Sequence, residues 1–209
     1  MNRLAEQAAA RLAKWTNHKN AQALYAYVLN CLFSSLCVHC TVIAICAVIG
    51  CLSTVLVWYA FFIPLRRLTG GLHFASPAPC FVLSTVVPVL CALLAQPLAA
   101  VRFIPVLELT AAAAALLIVS GCAPVIHPNH PVPSRLRPKY KRIACLVACA
   151  EFFILPALQY SDPVYAAAAT LGTLAASIST LTGYVIERAQ HRIPSEASSA
   201  DSNASQSQP

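Results

Sequence analysis

Charged side chains are scarce in this chain, and their scarcity decides its class. Of 209 residues, 14 are Lys or Arg and 7 are Asp or Glu, whereas 58% are apolar. A positive mean hydropathy over this length excludes a single water-soluble core. It predicts an all-α, polytopic membrane protein, a bundle of transmembrane helices.

Two other features are missing. No small-residue cleavage site closes the first apolar run, which starts only after a charged segment of about 20 residues, so a secretory signal peptide is not expected. The cysteines also do not have the polar sequence neighbours that are typical of a small, disulfide-rich secreted domain. Nine of the ten cysteines lie within or against apolar runs, where a thiol behaves as a small hydrophobe. We therefore expect reduced, buried cysteines.

The basic residues that are present predict the topology. Thirteen of the 14 Lys and Arg fall in four segments, and only Arg102 lies elsewhere. Loops with this bias face the cytoplasm, so the chain should cross an even number of times between successive segments. The net charge of +7 then reflects topology and not nucleic-acid binding. The four segments are residues 1–20, 64–79, 124–142 and 187–209.

About six helices result, with four to six as the range. Residues 21–63 are the ambiguous part: they hold either two helices with a turn near 38–41, or one helix and a re-entrant piece. Gln96–Pro97 and Ser161–Pro163 supply turn residues on the outer side. The predicted spans are 22–38, 41–63, 80–97, 103–123, 143–160 and 164–186.

The chain divides into three predicted parts. Residues 1–20 have apolar side chains at helical spacing among basic ones, which indicates an amphipathic helix on the cytoplasmic leaflet or, alternatively, a frayed solvated helix. Residues 21–190 form the membrane domain. Residues 191–209 are rich in Ser, Ala, Asn and Gln and predict a disordered polar tail.

A short polar stretch, residues 66–80, separates two apolar runs and holds reactive side chains. In a continuous helix, His73 and Cys80 would lie about 10.5 Å apart along the axis, too far for proton transfer. Pro77 and Pro79 disfavour helical dihedrals in the residues before them, so the chain should bend and let His73 fold back. The next helix should begin near Pro79, with Cys80 in its first turn, where the helix dipole stabilises a thiolate. By spacing alone, a loop histidine and one more buried cysteine are the better explanation of the stretch; Arg66, the two glycines and a second block described below favour catalysis.

The residues Arg66, Gly71, His73 and Cys80, with Ser76 between them, resemble the pattern of the accessory gene regulator B family. Members of this family are membrane peptidases that mature the autoinducing peptides of quorum sensing. A second block is similar to the family's cytoplasmic loop and comprises Ala123–Pro124, Pro131–Leu136 and a basic run to Arg142.

The resemblance implies a cysteine endopeptidase at the cytoplasmic face of the cell membrane, without a cofactor. Cys80 would attack a peptide carbonyl, and His73 would act as general base and then as acid. Gly70 and Gly71 would let the backbone approach the substrate, or simply form a loop turn. Arg66 would pair with a substrate carboxylate or support the oxyanion, or merely anchor the helix at the membrane edge.

The implied substrate is a precursor peptide with an amphipathic leader and an acidic C-terminal tail, which is cleaved and closed into a thiolactone or lactone. The resemblance is compatible with a homodimer and implies no nucleic-acid partner. A basic run would hold the acidic tail or anionic lipid, and is at least a topology signal. Its substrate-binding candidates are Arg135, Arg137, Lys139 and Lys141.

Two other functions remain open at this stage. A peptide transporter without peptidase activity would use carboxylates inside the spans, such as Glu108 and Glu151; as packing residues, these would be protonated or hydrogen-bonded. A non-catalytic scaffold would need neither these nor Cys80. The sequence Cys37–Cys40 has the spacing of a metal motif, but it lies in an apolar run without a second such pair, so we expect packing and no metal site.

Overall fold

Six long helices make up most of the computed structural model, which describes residues 6–11, 22–72, 77–101, 104–125 and 133–206. Residues 6–11 are also helical, a 3₁₀ turn spans Ser134–Leu136, and no β-strand occurs in the described ranges. The predicted N-terminal amphipathic helix lies mostly outside them. The helices are α1 (Gln22–Ile49), α2 (Leu52–Thr69), α3 (Pro77–Ala99), α4 (Ile104–Cys122), α5 (Arg137–Ser161) and α6 (Pro163–Gln206).

Five helical stretches are long and apolar enough to cross a membrane, so the predicted all-α polytopic membrane fold is confirmed. The helix α2 is not among them, and its last turn carries Arg66 and Arg67. The five stretches are Val28–Ile49, Ala78–Ala99, Ile104–Cys122, Ser134–Ser161 and Pro163–Ala189.

The first turn lies at Gly50–Cys51, so the predicted turn near 38–41 is wrong. Gly50 has φ = 84°, a conformation that costs glycine little because it has no Cβ. The polar residues near 40 stay in the helix because they find partners there: the Thr41 hydroxyl donates to the Cys37 carbonyl at 2.8 Å. Across the turn, the ring of His39 meets that of Tyr59 edge-on at 5.0 Å, so α1 and α2 double back on each other.

The two predicted outer turns differ in outcome. Pro97 lies inside α3, which ends at Ala99, so the turn predicted at Gln96–Pro97 comes later in the chain. The turn at Ser161–Pro163 is confirmed. Asp162 separates α5 from α6, and its Oδ1 accepts hydrogen bonds from the backbone N–H groups of Val164 and Tyr165, at 2.9 and 3.2 Å. This is an N-cap, which satisfies donors that the first helical turn leaves free.

The helix α6 packs against α2, α3, α4 and α5 and is the centre of the bundle. Small side chains make this possible, since four consecutive alanines, 166–169, are buried. At Gly172, an added Cβ would lie 2.7 Å from the Trp58 carbonyl oxygen of α2. Farther along, Ala176 joins a buried cluster that includes Leu65 of α2 and Val119 of α4.

One face of α6 also carries four buried hydroxyl side chains, Thr170, Thr173, Ser177 and Thr180. The Thr173 hydroxyl donates to Glu151 Oε2 of α5 at 2.8 Å, and the Ser177 hydroxyl donates to the Thr173 carbonyl at 2.8 Å. Glu151 therefore fits the hydrogen-bonded packing role better than a transport role.

Two helices are longer than the sequence predicts. Most of the basic run belongs to α5, which begins at Arg137 and not near 143, since Pro138 suits a first helical turn. The backbone of α6 continues to Gln206, into the stretch for which the sequence predicts a disordered tail. The division of the chain into three parts stays a prediction.

Candidate active site

The segment Gly70–Leu72 leaves the end of α2 and turns onto α6. The Gly70 N–H donates to the Arg66 carbonyl at 3.2 Å and so closes the last helical turn. Gly70 and Gly71 have φ = 73° and 139°, and residues with a Cβ rarely adopt these backbone conformations. The two glycines thus permit the change of direction, and His73 follows directly.

Three hydrogen bonds join this segment and the last residue of α2 to two other elements. The Leu72 N–H donates to the Ser179 carbonyl of α6 at 3.0 Å, and the Val125 N–H, after α4, donates to the Thr69 carbonyl at 2.8 Å. In addition, the Thr180 hydroxyl donates to the Thr69 hydroxyl at 2.7 Å. The end of α2, the exit of α4 and the middle of α6 therefore meet at one point.

The contacts at this point are too close for side chains. A Cβ added at Gly70 would lie 2.6 Å from the Val125 carbonyl oxygen, and one at Gly183 would lie 2.7 Å from the Gly71 carbonyl carbon. A Cβ at Gly71 would overlap the Arg66 guanidinium and lie 2.8 Å from the Ser179 oxygen. The second family-like block, which begins at Ala123–Pro124, is thus brought next to the first.

The Arg66 side chain also bonds to this segment. Its Nη2 donates to the Leu72 carbonyl at 2.8 Å, and the side chain is half-buried. Burial lowers the pKa of the Arg66 guanidinium, and the Cys80 sulfur, when ionised, acts in the opposite direction. Arg66 therefore lies within electrostatic range of Cys80 and fixes the peptide group that precedes His73.

Cys80 lies in the first turn of α3, as the sequence predicts, because α3 begins at Pro77. Its side chain is partly exposed. Both Pro77 and Pro79 occupy the helical turn whose N–H groups have no intrahelical partner, so their missing donors cost nothing there. His73 and Ser76 lie outside the described residues, so the distance between His73 and Cys80 stays a prediction.

The basic candidates lie at the same end of the bundle, because α5 starts where α4 ends. All are exposed, and the first turn of α5 contains no acidic residue. Cations at a helix N-terminus add to the positive end of the helix dipole and create an attractive field for anions. These exposed residues are Arg135 in the 3₁₀ turn and Arg137, Lys139, Lys141 and Arg142 in α5.

The remaining candidates do not form a second reactive group. In the described part of the chain, no three His, Cys, Asp or Glu side chains come together as a metal site would require. Cys37 and Cys40 are exposed on α1, while His39 packs on Tyr59. Glu108 is buried near the start of α4, at the opposite end of the bundle.

Sequence reasoning missed the residues that receive the loop. Among these residues, only Gly183 has a recognisable sequence feature, and it is a weak one. Gly183 is one of six glycines in the chain and interrupts an apolar run. Hydroxyl side chains in an apolar helix are common enough that Thr180 gives no signal by itself. The missed residues are Thr69, Val125, Ser179, Thr180 and Gly183.

Comparison with known proteins identifies a family. The sequence profile of accessory gene regulator B matches residues 5–181, which include both blocks described above. No curated protein and no solved structure matches the chain. Since the match covers most of the 209 residues, the chain belongs to the accessory gene regulator B family.

Proposed function

We propose that this protein is a membrane-embedded cysteine endopeptidase that removes the C-terminal tail of a quorum-sensing precursor peptide and supports its cyclisation. One observation carries the proposal: the Arg66 guanidinium donates to the Leu72 carbonyl, in the peptide group directly before His73, in the loop that leads to Cys80 in the first turn of α3. Burial lowers the pKa of this guanidinium, whereas a negative charge on Cys80 would raise it, which supports an electrostatic interaction between the two side chains.

In the first step, the Cys80 thiolate attacks the carbonyl carbon of the scissile peptide bond. His73 takes the thiol proton and gives it to the leaving amine, so that the C-terminal tail departs and the rest of the peptide is held as a thioester. Arg66 acts as a positioning residue and supplies a fixed positive charge near the sulfur. Ser76, between His73 and Cys80, is a supporting candidate in the connecting loop.

In the second step, a thiol or hydroxyl of the same peptide attacks the thioester. Its proton passes to the Cys80 sulfur, and the product is a thiolactone or lactone ring. Exchange of a thioester onto a thiol is close to isoenergetic, so the ring forms in good yield only where water is kept away from the acyl-enzyme. A site at the edge of a bilayer, where α2 and α3 enter the loop, offers such shielding.

The charge around this site supports an acidic, amphipathic peptide as the substrate. Exposed cations at the start of α5 suit an acidic peptide tail, and the bilayer suits an amphipathic leader. We place the site, the basic turns of α5 and the C-terminal end of α6 on the cytoplasmic side of the cell membrane. The support is the clustering of Lys and Arg in these segments.

The test is co-expression of the protein with its precursor peptide, with cleavage read as a gel shift. We expect Cys80→Ala, Cys80→Ser and His73→Ala to abolish cleavage while the protein still inserts in the membrane. Cys40→Ala is the matched control, since Cys40 is exposed on α1 and away from the loop. Near-normal processing by Cys80→Ala would exclude a peptidase and leave a transporter or a scaffold.

A further inference from the structure

A cavity of about 470 Å³ lies between the start of α4 and the end of α5, at the end of the bundle opposite the candidate active site. Its lining is almost entirely apolar and includes Leu109, Leu155, Pro156 and Tyr160. Two polar side chains, Glu108 and Gln159, interrupt this lining. Few polar groups in an apolar cavity are the usual composition of a ligand site.

Both polar side chains present an oxygen that lacks a partner. Glu108 is only 4% exposed. Its Oε1 and the Oε1 of Gln159 are buried, and neither has a hydrogen-bond partner among the described residues. A buried acceptor without a donor costs free energy, so the cavity favours a ligand that brings N–H or O–H donors and, for a carboxylate, positive charge.

The position of the cavity indicates where the ligand comes from. The helix α4 has 19 residues, about 28 Å, which is close to the thickness of the hydrocarbon core, so its start lies near the boundary with the headgroups. Glu108 is four residues from that start and its side chain is directed back toward it, so the carboxylate lies within about 6 Å of the boundary. Leu109 and Tyr160, on the rim, are 44% and 95% exposed to the surroundings of the bundle. Exposed tyrosines at helix ends are typical of the membrane interface.

We propose that this cavity binds the primary ammonium group of a phospholipid with an ethanolamine-type headgroup. The ammonium carries three N–H donors, enough to serve both unpartnered oxygens, and its charge complements Glu108. The acyl chains would run along the exposed apolar faces of α4 and α5. A choline headgroup has a similar shape and charge but no N–H, so it serves as a natural control ligand.

The experiment uses the full-length protein in nanodiscs made of phosphatidylcholine with a minor fraction of phosphatidylethanolamine, and lipid retention is read by native mass spectrometry. Wild type should retain phosphatidylethanolamine roughly tenfold more strongly than phosphatidylcholine, as the loss of charged hydrogen bonds predicts. Glu108→Gln keeps the side-chain volume and should remove most of this preference. Glu151→Gln is the matched control, because Glu151 is also a buried carboxylate, but it lies outside the cavity lining and is bonded to Thr173 of α6.

Gln159→Leu removes the second acceptor, leaves the carboxylate in place, and should lower the preference partially. It also keeps the proposal testable if Glu108→Gln fails to fold. Free ethanolamine added to pure phosphatidylcholine nanodiscs should raise the unfolding temperature no more than choline does. Equal retention of the two lipids by wild type, or an unchanged preference in Glu108→Gln, would overturn the proposal and leave a water-filled cavity. Stabilisation by free ethanolamine would also overturn it, in favour of a soluble amine.

Discussion

At the scale of single residues, the glycines divide into those that need the absence of a Cβ and those that do not. The α6 residue Gly183 touches the Gly71 backbone, whereas Gly121 of α4 has no atom within 4 Å of an added Cβ. Both are helical, so the two positions differ in their neighbours and not in local conformation. They therefore form a matched pair for mutagenesis.

We expect Gly183→Ala to lower cleavage tenfold or more and to destabilise the protein by about 1–3 kcal/mol, because overpacking must push the Gly71–Leu72 backbone away. Gly121→Ala should leave cleavage unchanged and stabilise the protein by up to about 1 kcal/mol, since alanine costs less backbone entropy. Thermal unfolding in detergent and the rate of precursor cleavage measure the two effects. Equal behaviour of the two variants would mean that the loop does not rest on α6.

Arg66 and Arg67 are adjacent, but only Arg66 donates to the Leu72 carbonyl, and Arg67 is exposed. We expect Arg66→Lys to reduce kcat at least tenfold with KM changed little, because an ammonium keeps the charge but lacks the planar fork of the guanidinium. Arg67→Lys should cleave at the wild-type rate. Steady-state kinetics with purified precursor provides the measurement, and a change confined to KM would instead indicate direct contact with the substrate.

At the scale of elements, the first two turns of α5 are the part of the candidate site that faces solvent. We expect Lys139→Gln, Lys141→Gln and Arg142→Gln together to raise the precursor concentration for half-maximal cleavage about tenfold. One exposed pair contributes only about 0–1 kcal/mol, but about 1.4 kcal/mol from several gives this factor. Arg135 and Arg137 stay in place to preserve topology.

Two controls accompany that variant. High salt should weaken wild-type cleavage to a similar degree, since screening acts over about 8 Å at physiological ionic strength. A precursor whose acidic tail residues are replaced by amides should respond to neither the substitutions nor salt. If the triple variant cleaves like wild type at every precursor concentration, the basic turns serve topology alone.

The presence of the long helices could be predicted from the sequence, whereas the residues at which several of them begin or end could not. Long apolar runs predict spans because the bilayer leaves the backbone no other partner. The turn at Gly50 was missed because His39, Cys40 and Thr41 look polar, yet Thr41 bonds within its own helix. The start of α5 was missed because charge does not prevent helix formation in water. The first turn of α3 was predictable, because two closely spaced prolines restrict where a helix can begin.

In the candidate site, the side chains with chemical roles could be predicted from the sequence, but the backbone groups that position them could not. Cys80 stands out by residue type and by its place after a proline-rich turn, and so does Arg66. The partners of the loop do not, because Ser179 and Val125 contribute backbone groups that any residue would supply. Sequence reasoning finds reactive side chains more readily than the backbone that holds them.

At the scale of the whole molecule, the family match supports a part in accessory gene regulation and autoinducing-peptide processing. The fold places the candidate catalytic loop and the basic turns of α5 at one end of the bundle, and the turn at Asp162 at the other. Both Ser134 and Ser161 are exposed, so they can report on the two sides.

We expect Ser161→Cys, in a background without other cysteines, to react with a membrane-impermeant thiol reagent in intact cells. Ser134→Cys should react only after lysis, because positively charged segments stay on the cytoplasmic side. Labelling of both variants after lysis is the control for reactivity. The reverse pattern would place the candidate active site outside the cell and contradict the proposed site of precursor cleavage.

The hydroxyl face of α6 has a consequence for the rotational setting of that helix. Inside a bilayer, apolarity does not select which side of a helix points inward, because lipid tails and side chains are equally apolar. Thr173 and Thr180 supply that selection through partners on α5 and α2, and the two hydroxyls lie about 10 Å apart along the helix. They thereby determine the angle at which the Ser179 carbonyl meets Leu72. The position of the candidate catalytic loop thus depends on the rotation of α6, which these two hydrogen bonds fix.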